Sequence, residues 1–170
     1  MVKIGLIQTI SYSTNQKGIF RVSEMLKKLG KKETEIVCLP EQWLKKNEIL
    51  DFDSEFSDFK KIAKEFSMTI IPGAFYEITK RKTSIIAGIE PWQMYVQVRA
   101  LENRIPILAA NVENHRYGGN SLVVDLTENN KVVTTKITKL NGESEITSEF
   151  TLDKYEKSRK IRFSDSNKFQ

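Results

Sequence analysis

Residues 2–41, VKIGLIQTISYSTNQKGIFRVSEMLKKLGKKETEIVCLPE, hold the pattern that decides the fold. Val2–Gln8 is an apolar, β-rich run and reads as a buried strand. The polar stretch SYSTNQK after it offers several helix-capping side chains. Ile19, Val22, Leu26 and Leu29 then recur at spacings of three and four, which is the inward stripe of an amphipathic helix, and Gly30 stands where a helix C-terminus favours glycine. Ile36–Leu39 is a second short apolar run, too short for a helix and closed by Pro40, so it reads as a second buried strand.

The same alternation continues outward. Asp53 and Ser54 are placed to cap a helix that puts Phe56, Phe59, Ala63 and Phe66 on one face, and Thr69–Ile71 makes a third strand. Strand, helix, strand, helix, strand predicts a layered α/β domain with helices covering at least one sheet face. In the second half, Glu90-Pro91 opens a helix whose inward stripe is read as Met94, Val98, Leu101 and Ile105, with Pro106 ending it. Ile107–Asn111, Leu122–Leu126 and Val132–Ile137 read as an antiparallel meander, with Asn129-Asn130 and Asn141-Gly142 as turns. Residues 1–152 are expected to form one α/β domain, and residues 153–170, polar and mostly basic, a surface arm.

Composition bounds the function. A chain of 170 residues buries roughly 68–70% of its unfolded surface, enough for a core without staples. Its one cysteine and one histidine, Cys38 and His115, allow neither an internal disulfide nor a Cys/His zinc site, and no metal or cofactor is expected. No run approaches the roughly 18 apolar residues of a membrane helix, and MVKIGLIQ lacks the features of a signal peptide, so the expected location is cytoplasmic. Twenty-seven Lys and Arg against 22 Asp and Glu give a net charge of +5. The basic residues alternate with acidic ones in Lys27–Glu35 and Asp53–Lys64, which predicts solvated helix faces rather than a nucleic-acid stripe.

Several stretches, in order, resemble the nitrilase (carbon–nitrogen hydrolase) superfamily. VKIGLIQ is similar to that family's first strand. IVCLPEQWL resembles the strand and loop that carry its catalytic glutamate, which puts that role on Glu41. IIPGAFYEI resembles the G-x-x-Y-E segment, PWQMYVQVRALENRIPILAANVEN the R-A-x-E-N helix and the A-A-N strand, and GGNSLVVDL the G-x-S strand. SEFTLDKYEKSRK is similar to the family's C-terminal extension. The resemblance spans about residues 2–160 with one interruption, and it implies an α-β-β-α sandwich with mixed sheets and chemistry on nonpeptide carbon–nitrogen bonds. In that chemistry a glutamate deprotonates a cysteine, the thiolate attacks a nitrile or amide carbon, and a lysine stabilises the developing charge.

The interruption falls on the chemistry. The family's nucleophile and lysine lie between the G-x-x-Y-E strand and the R-A-x-E-N helix, where this chain has ITKRKTSIIAGIE, residues 78–90. That interval holds no cysteine and is too short for the elements that would carry both groups. Cys38 stands three residues before Glu41, an odd offset along a strand, and reads as a buried small hydrophobe. Ser121 reads as structural, His115 as a solvated loop imidazole, and Lys80, Arg81 and Lys82 as a solvated turn. Glu41 has two readings: a surface charge, or a carboxylate facing an interior pocket and satisfied by backbone N–H groups, Arg99 or Tyr76. Arg99 and Glu102, three apart on one helix, are expected to pair and hold that helix to the sheet.

The resulting expectation is a catalytically silent, shortened homologue that acts as a binding or assembly module. In this reading Glu41 is a vestigial general base, a homodimer is the first partner and a small amide-like ligand the second. The alternative is an active hydrolase of amide, nitrile or N-carbamoyl substrates that uses a segment not present here. Nucleic-acid binding ranks well behind both.

Overall fold

The computed structural model describes residues 1–49, 51–73, 76–77, 89–115, 118–129, 132–156 and 159–160. The first half runs β1 (Val2–Ile10), α1 (Asn15–Lys31), β2 (Ile36–Cys38), β3 (Glu48–Ile49), α2 (Phe52–Glu55), α3 (Ser57–Glu65), β4 (Thr69–Ile71) and β5 (Tyr76–Glu77). The second half runs α4 (Ile89–Asn103), β6 (Ile107–Ala109), β7 (Val112–Glu113), β8 (Leu122–Asn129), β9 (Val132–Lys139) and β10 (Ser144–Phe150), followed by a single turn at Leu152–Tyr155.

The first sheet has the order β10-β1-β2-β4, with β1, β2 and β4 parallel, β10 antiparallel to β1, and β7 parallel to the last residues of β1. The second is the antiparallel sheet β6-β8-β9, and β3 pairs with β5. Strand alternation then builds four layers. Ile7 and Val37 face α1 and α3, packing with Val22, Leu26, Leu29, Phe59 and Ile62. On the opposite face Ile4, Leu6, Cys38, Ile146 and Phe150 meet Leu108, Ala110 and Val123 of the second sheet. The far side of that sheet, through Leu122, Val124 and Leu126, packs on Ala100 of α4 and on Tyr155. The result is a mixed-sheet α-β-β-α sandwich.

Local sequence explains the first helix. Thr14 stands in extended backbone and its side chain accepts from the Lys17 N–H, so a residue of the polar stretch supplies the N-cap. Gly30 is not the C-terminal cap that the sequence suggests. It lies inside the last turn of α1, where an added Cβ would sit 2.4 Å from Cγ of Phe66, so the glycine permits close helix packing. The left-handed residue at the helix end is Glu33 (φ 59°); its N–H bonds the Gly30 carbonyl and the Thr34 N–H bonds the Leu29 carbonyl, a Schellman closure. The second helix also differs from expectation. Asp51, rather than Asp53 or Ser54, caps α2, a single turn, and α3 starts after Phe56.

The inward stripe of α4 is corrected as well. Met94, Tyr95 and Val98 are exposed, while Ala100 is buried and Val96 and Leu101 pack on the second sheet. Apolar residues lie all around this helix, so periodicity alone selects no face. Arg99 and Glu102 do pair, at 3.0 Å, but on the exposed surface, so they do not hold helix to sheet. Residues 78–88, with Lys80, Arg81 and Lys82, and residues 161–170 of the arm lie outside the described residues.

Candidate functional site

Because β1, β2, β4 and β7 run parallel, the segments leaving their carboxyl ends gather at one edge, which is where open α/β sheets place ligand crevices. A cleft of about 450 Å³ lies among these segments. Tyr12 enters it from the end of β1, Trp43, Lys45 and Asn47 from the segment after β2, and Asn114 and His115 from the segment after β7.

Each wall is held by identifiable contacts. Trp43 is buried, stacks on Phe59 with ring centroids 6.1 Å apart, and donates its indole N–H to the Pro72 carbonyl at 2.8 Å. Gly73 (φ 90°) lets that segment approach so closely that a Cβ would sit 2.2 Å from the Pro40 carbonyl oxygen. Asn15 and Lys46 exchange side-chain and backbone hydrogen bonds at 3.0 and 2.9 Å, tying residues 41–47 to the start of α1. Tyr12 donates its hydroxyl to Glu143 at 2.7 Å, and Arg21 reaches the other oxygen of Glu143 at 2.6 Å. Burial, and then the bond to Glu143, push the Tyr12 phenol far above its ordinary range, so it stays protonated. The Arg21 guanidinium holds the Glu143 carboxyl below the usual carboxylate range.

Behind the cleft is a buried polar junction. The Gln8 amide, fully buried, accepts from the Ser121 N–H at 2.7 Å and donates to Glu113 at 2.9 Å and to the Gly142 carbonyl at 2.7 Å. Ser121 Oγ in turn accepts from the Asn111 N–H at 2.8 Å and donates to the Asn111 carbonyl at 3.1 Å. These bonds fix β1, the 111–121 segment and the turn at Gly142 against one another. They also account for Ser121 as a structural residue.

Among the described residues, those singled out by sequence do not converge. Glu41 stands on the turn after Pro40 with its side chain exposed, which corrects the interior-pocket reading. Gln42 beside it adopts φ 51°, so the turn sends Trp43 inward while Glu41 stays outside. Cys38 is half-buried between the sheets, and burial pushes its thiol upward, the opposite of activation. His115 is exposed at the cleft rim. Among the described residues no group of three His, Cys, Asp or Glu side chains is placed to hold a metal, and no helix is long and apolar enough to cross a membrane. Sequence reasoning missed Tyr12, Trp43 and Asn114. Their signal was positional, since each lies just past the carboxyl end of a parallel strand.

The four layers and this strand order have a counterpart among solved structures. The crystal structure of a carbon–nitrogen hydrolase from Helicobacter pylori G27 superposes with a TM-score of 0.67 over 94% of this chain and 92% of that one, at 12% sequence identity. The fold is that of a carbon–nitrogen hydrolase. At that identity the likeness belongs to the carbon–nitrogen hydrolase fold alone. The two coverages also make the chains nearly equal in length. No protein-family model and no curated protein matches this sequence.

Proposed function

We propose that this chain is a carbon–nitrogen hydrolase homologue without hydrolase chemistry of its own, acting as a binding or assembly module. The observation that carries the proposal is the state of its only thiol: Cys38 is half-buried between two sheets with its pKa raised, and Glu41, the candidate base, faces solvent. A thiol nucleophile needs an adjacent base or cation to form thiolate near neutral pH. In this reading Glu41 is a vestigial general base and the cleft takes a small, neutral, amide-like molecule, for which Tyr12, Asn47 and Asn114 supply polar groups. The exposed apolar side chains Met94, Tyr95 and Val98 of α4 support a homodimer, and a cytoplasmic location belongs to the same reading.

The test is ammonia release from a panel of simple amides, nitriles and N-carbamoyl compounds. The expected result is no turnover, with Glu41→Gln indistinguishable from the parent. Release that falls in Glu41→Gln would overturn the proposal. One observation favours a second reading, an active hydrolase: a chain of nearly equal length and the same fold is described as a carbon–nitrogen hydrolase. That reading requires the turnover the first one denies.

A further inference from the structure

Away from the cleft, the second sheet ends in a long free edge. Among the described residues β9 pairs with β8 on one side and with no strand on the other. At eight residues it is far longer than β4 and β6, the three-residue strands that end the first sheet and the other side of the second. An edge strand leaves backbone N–H and C=O groups unpaired, which is a template for another strand. Every residue from Val132 to Thr138 except Lys136 is β-branched, and Val132 is 60% exposed. The lysines do little to blunt this edge, because Lys136 stands opposite Asp125 in β8 and Lys139 donates to Gln93 at 2.7 Å.

The edge is complementary to itself. A two-fold axis perpendicular to the sheet keeps like faces together, so two copies of β9 pair antiparallel with opposed residue numbers that sum to an even number. Centred on Thr135, the overlap runs from Val132 to Thr138. It sets Val133 against the partner's Ile137, and both positions already pack with Ala100, Val124 and Leu126, so that cluster extends across the seam. On the other face Val132 meets the partner's Thr138 and Lys136 meets the partner's Thr134, with no like charges opposed. A centre at Lys136 would oppose two lysines, and a centre at Thr134 would shorten the overlap to Val132–Lys136. The other long edge strand, β10, lacks this property: its own centre at Thr147 opposes Glu145 and Glu149.

We infer that two copies of this chain join by antiparallel pairing of β9 about Thr135, which merges β6-β8-β9 and its mate into one six-stranded sheet. The inference rests on the homodimer of the proposed function and names its contact. A strand seam by itself is narrow for a stable dimer. Helix α4 packs on the same sheet, over β8 and β9. The pairing therefore brings both copies of α4, with their exposed Met94, Tyr95 and Val98, to one side of the joined sheet.

The experiment uses the full chain. Sedimentation equilibrium at micromolar concentration should give a dimer. Residues directly opposed in an antiparallel pair have Cα atoms about 4.5–5.5 Å apart, within the span of roughly 4.4–6.8 Å that a disulfide bridges. Thr135→Cys should therefore cross-link to its own copy under mild oxidation. Lys139→Cys, about 27 Å from its counterpart in this register, should not, and neither should the parent with Cys38 alone. Val132→Lys/Thr138→Lys opposes like charges twice and should raise the dimer Kd about fivefold or more, whereas Val132→Glu/Thr138→Lys opposes unlike charges and should not. Both positions are exposed, and circular dichroism checks that the variants fold. A dimer that Thr135→Cys does not cross-link and Val132→Lys/Thr138→Lys does not weaken would overturn the inference and leave the homodimer standing. A monomer would overturn both. Equal cross-linking by Lys139→Cys would mark random collision and overturn the inference as well.

Discussion

Replacing Gln8 by leucine removes the buried junction while keeping the side chain's approximate size. Three hydrogen bonds of 2.7–2.9 Å end on this amide. The Ser121 N–H, fully buried, would lose its acceptor, at a cost of about 1–3 kcal/mol. The other two losses are milder, because Glu113 keeps the Gly142 N–H at 2.6 Å and the Gly142 carbonyl keeps a long bond from Ser144 at 3.4 Å; each is worth about 0.5–1.5 kcal/mol. With part of the sum offset by the apolar burial of leucine, the net loss is about 3 kcal/mol, which lowers Tm by about 6–12 °C for a domain of this size. Urea and thermal unfolding followed by far-UV circular dichroism measure it. Gln8→Glu adds a check on sign. A carboxylate facing Glu113 and the Gly142 carbonyl has its folded pKa raised, so relative to the parent its stability is retained below the unfolded value of about 4.3 and lost as pH rises. A Gln8→Leu loss below about 1 kcal/mol, or a Gln8→Glu penalty that does not grow with pH, would refute the assignment of this junction as a structural clamp.

Two further outcomes follow from the cleft walls. Glu143, held below its ordinary range by Arg21, contributes stability that is present above the unfolded carboxyl pKa and lost as pH falls through the lower folded value. Arg21→Ala should therefore reduce stability at neutral pH and flatten the acid side of the stability–pH curve, as read by urea midpoints at successive pH values. Gly73→Ala combines a left-handed φ with a Cβ 2.2 Å from a backbone oxygen, so it should cost about 3 kcal/mol or more and loosen Trp43, seen as a shift in tryptophan emission.

Much of the fold was legible in the chain because its strands are short apolar runs bounded by Pro, Gly and Asn, and because α1 and α3 bury one face each. Burial of Val22, Leu26 and Leu29 in α1 matches the stripe read from spacing alone. The α4 stripe failed because that helix is apolar on more than one side, and only the second sheet decides that Val96 and Ala100 turn inward while Met94 and Val98 do not. Gly30 misled because a glycine near a helix end marks a cap or a close contact equally well, and the deciding atom, the Phe66 ring, is 36 residues away in sequence. The site was less legible. Its walls come from Tyr12, Trp43 and Asn114 on three separate segments, brought together only by parallel pairing of β1, β2 and β7. Glu41 was read from a motif, and a motif does not set which way a turn residue faces; the left-handed Gln42 beside it does.

The most direct measurement is the rate of alkylation of Cys38 by iodoacetamide in the folded protein as a function of pH, for the parent and for Glu41→Gln. A thiol half-buried between two sheets, with no base beside it among the described residues, should react more slowly than free cysteine at every pH, with its inflection above the ordinary value of about 8.5 and the same curve in both proteins. Fast alkylation with an inflection near neutral pH, lost in Glu41→Gln, would show an activated thiol coupled to that carboxylate and would contradict the claim that this scaffold has no hydrolase chemistry of its own.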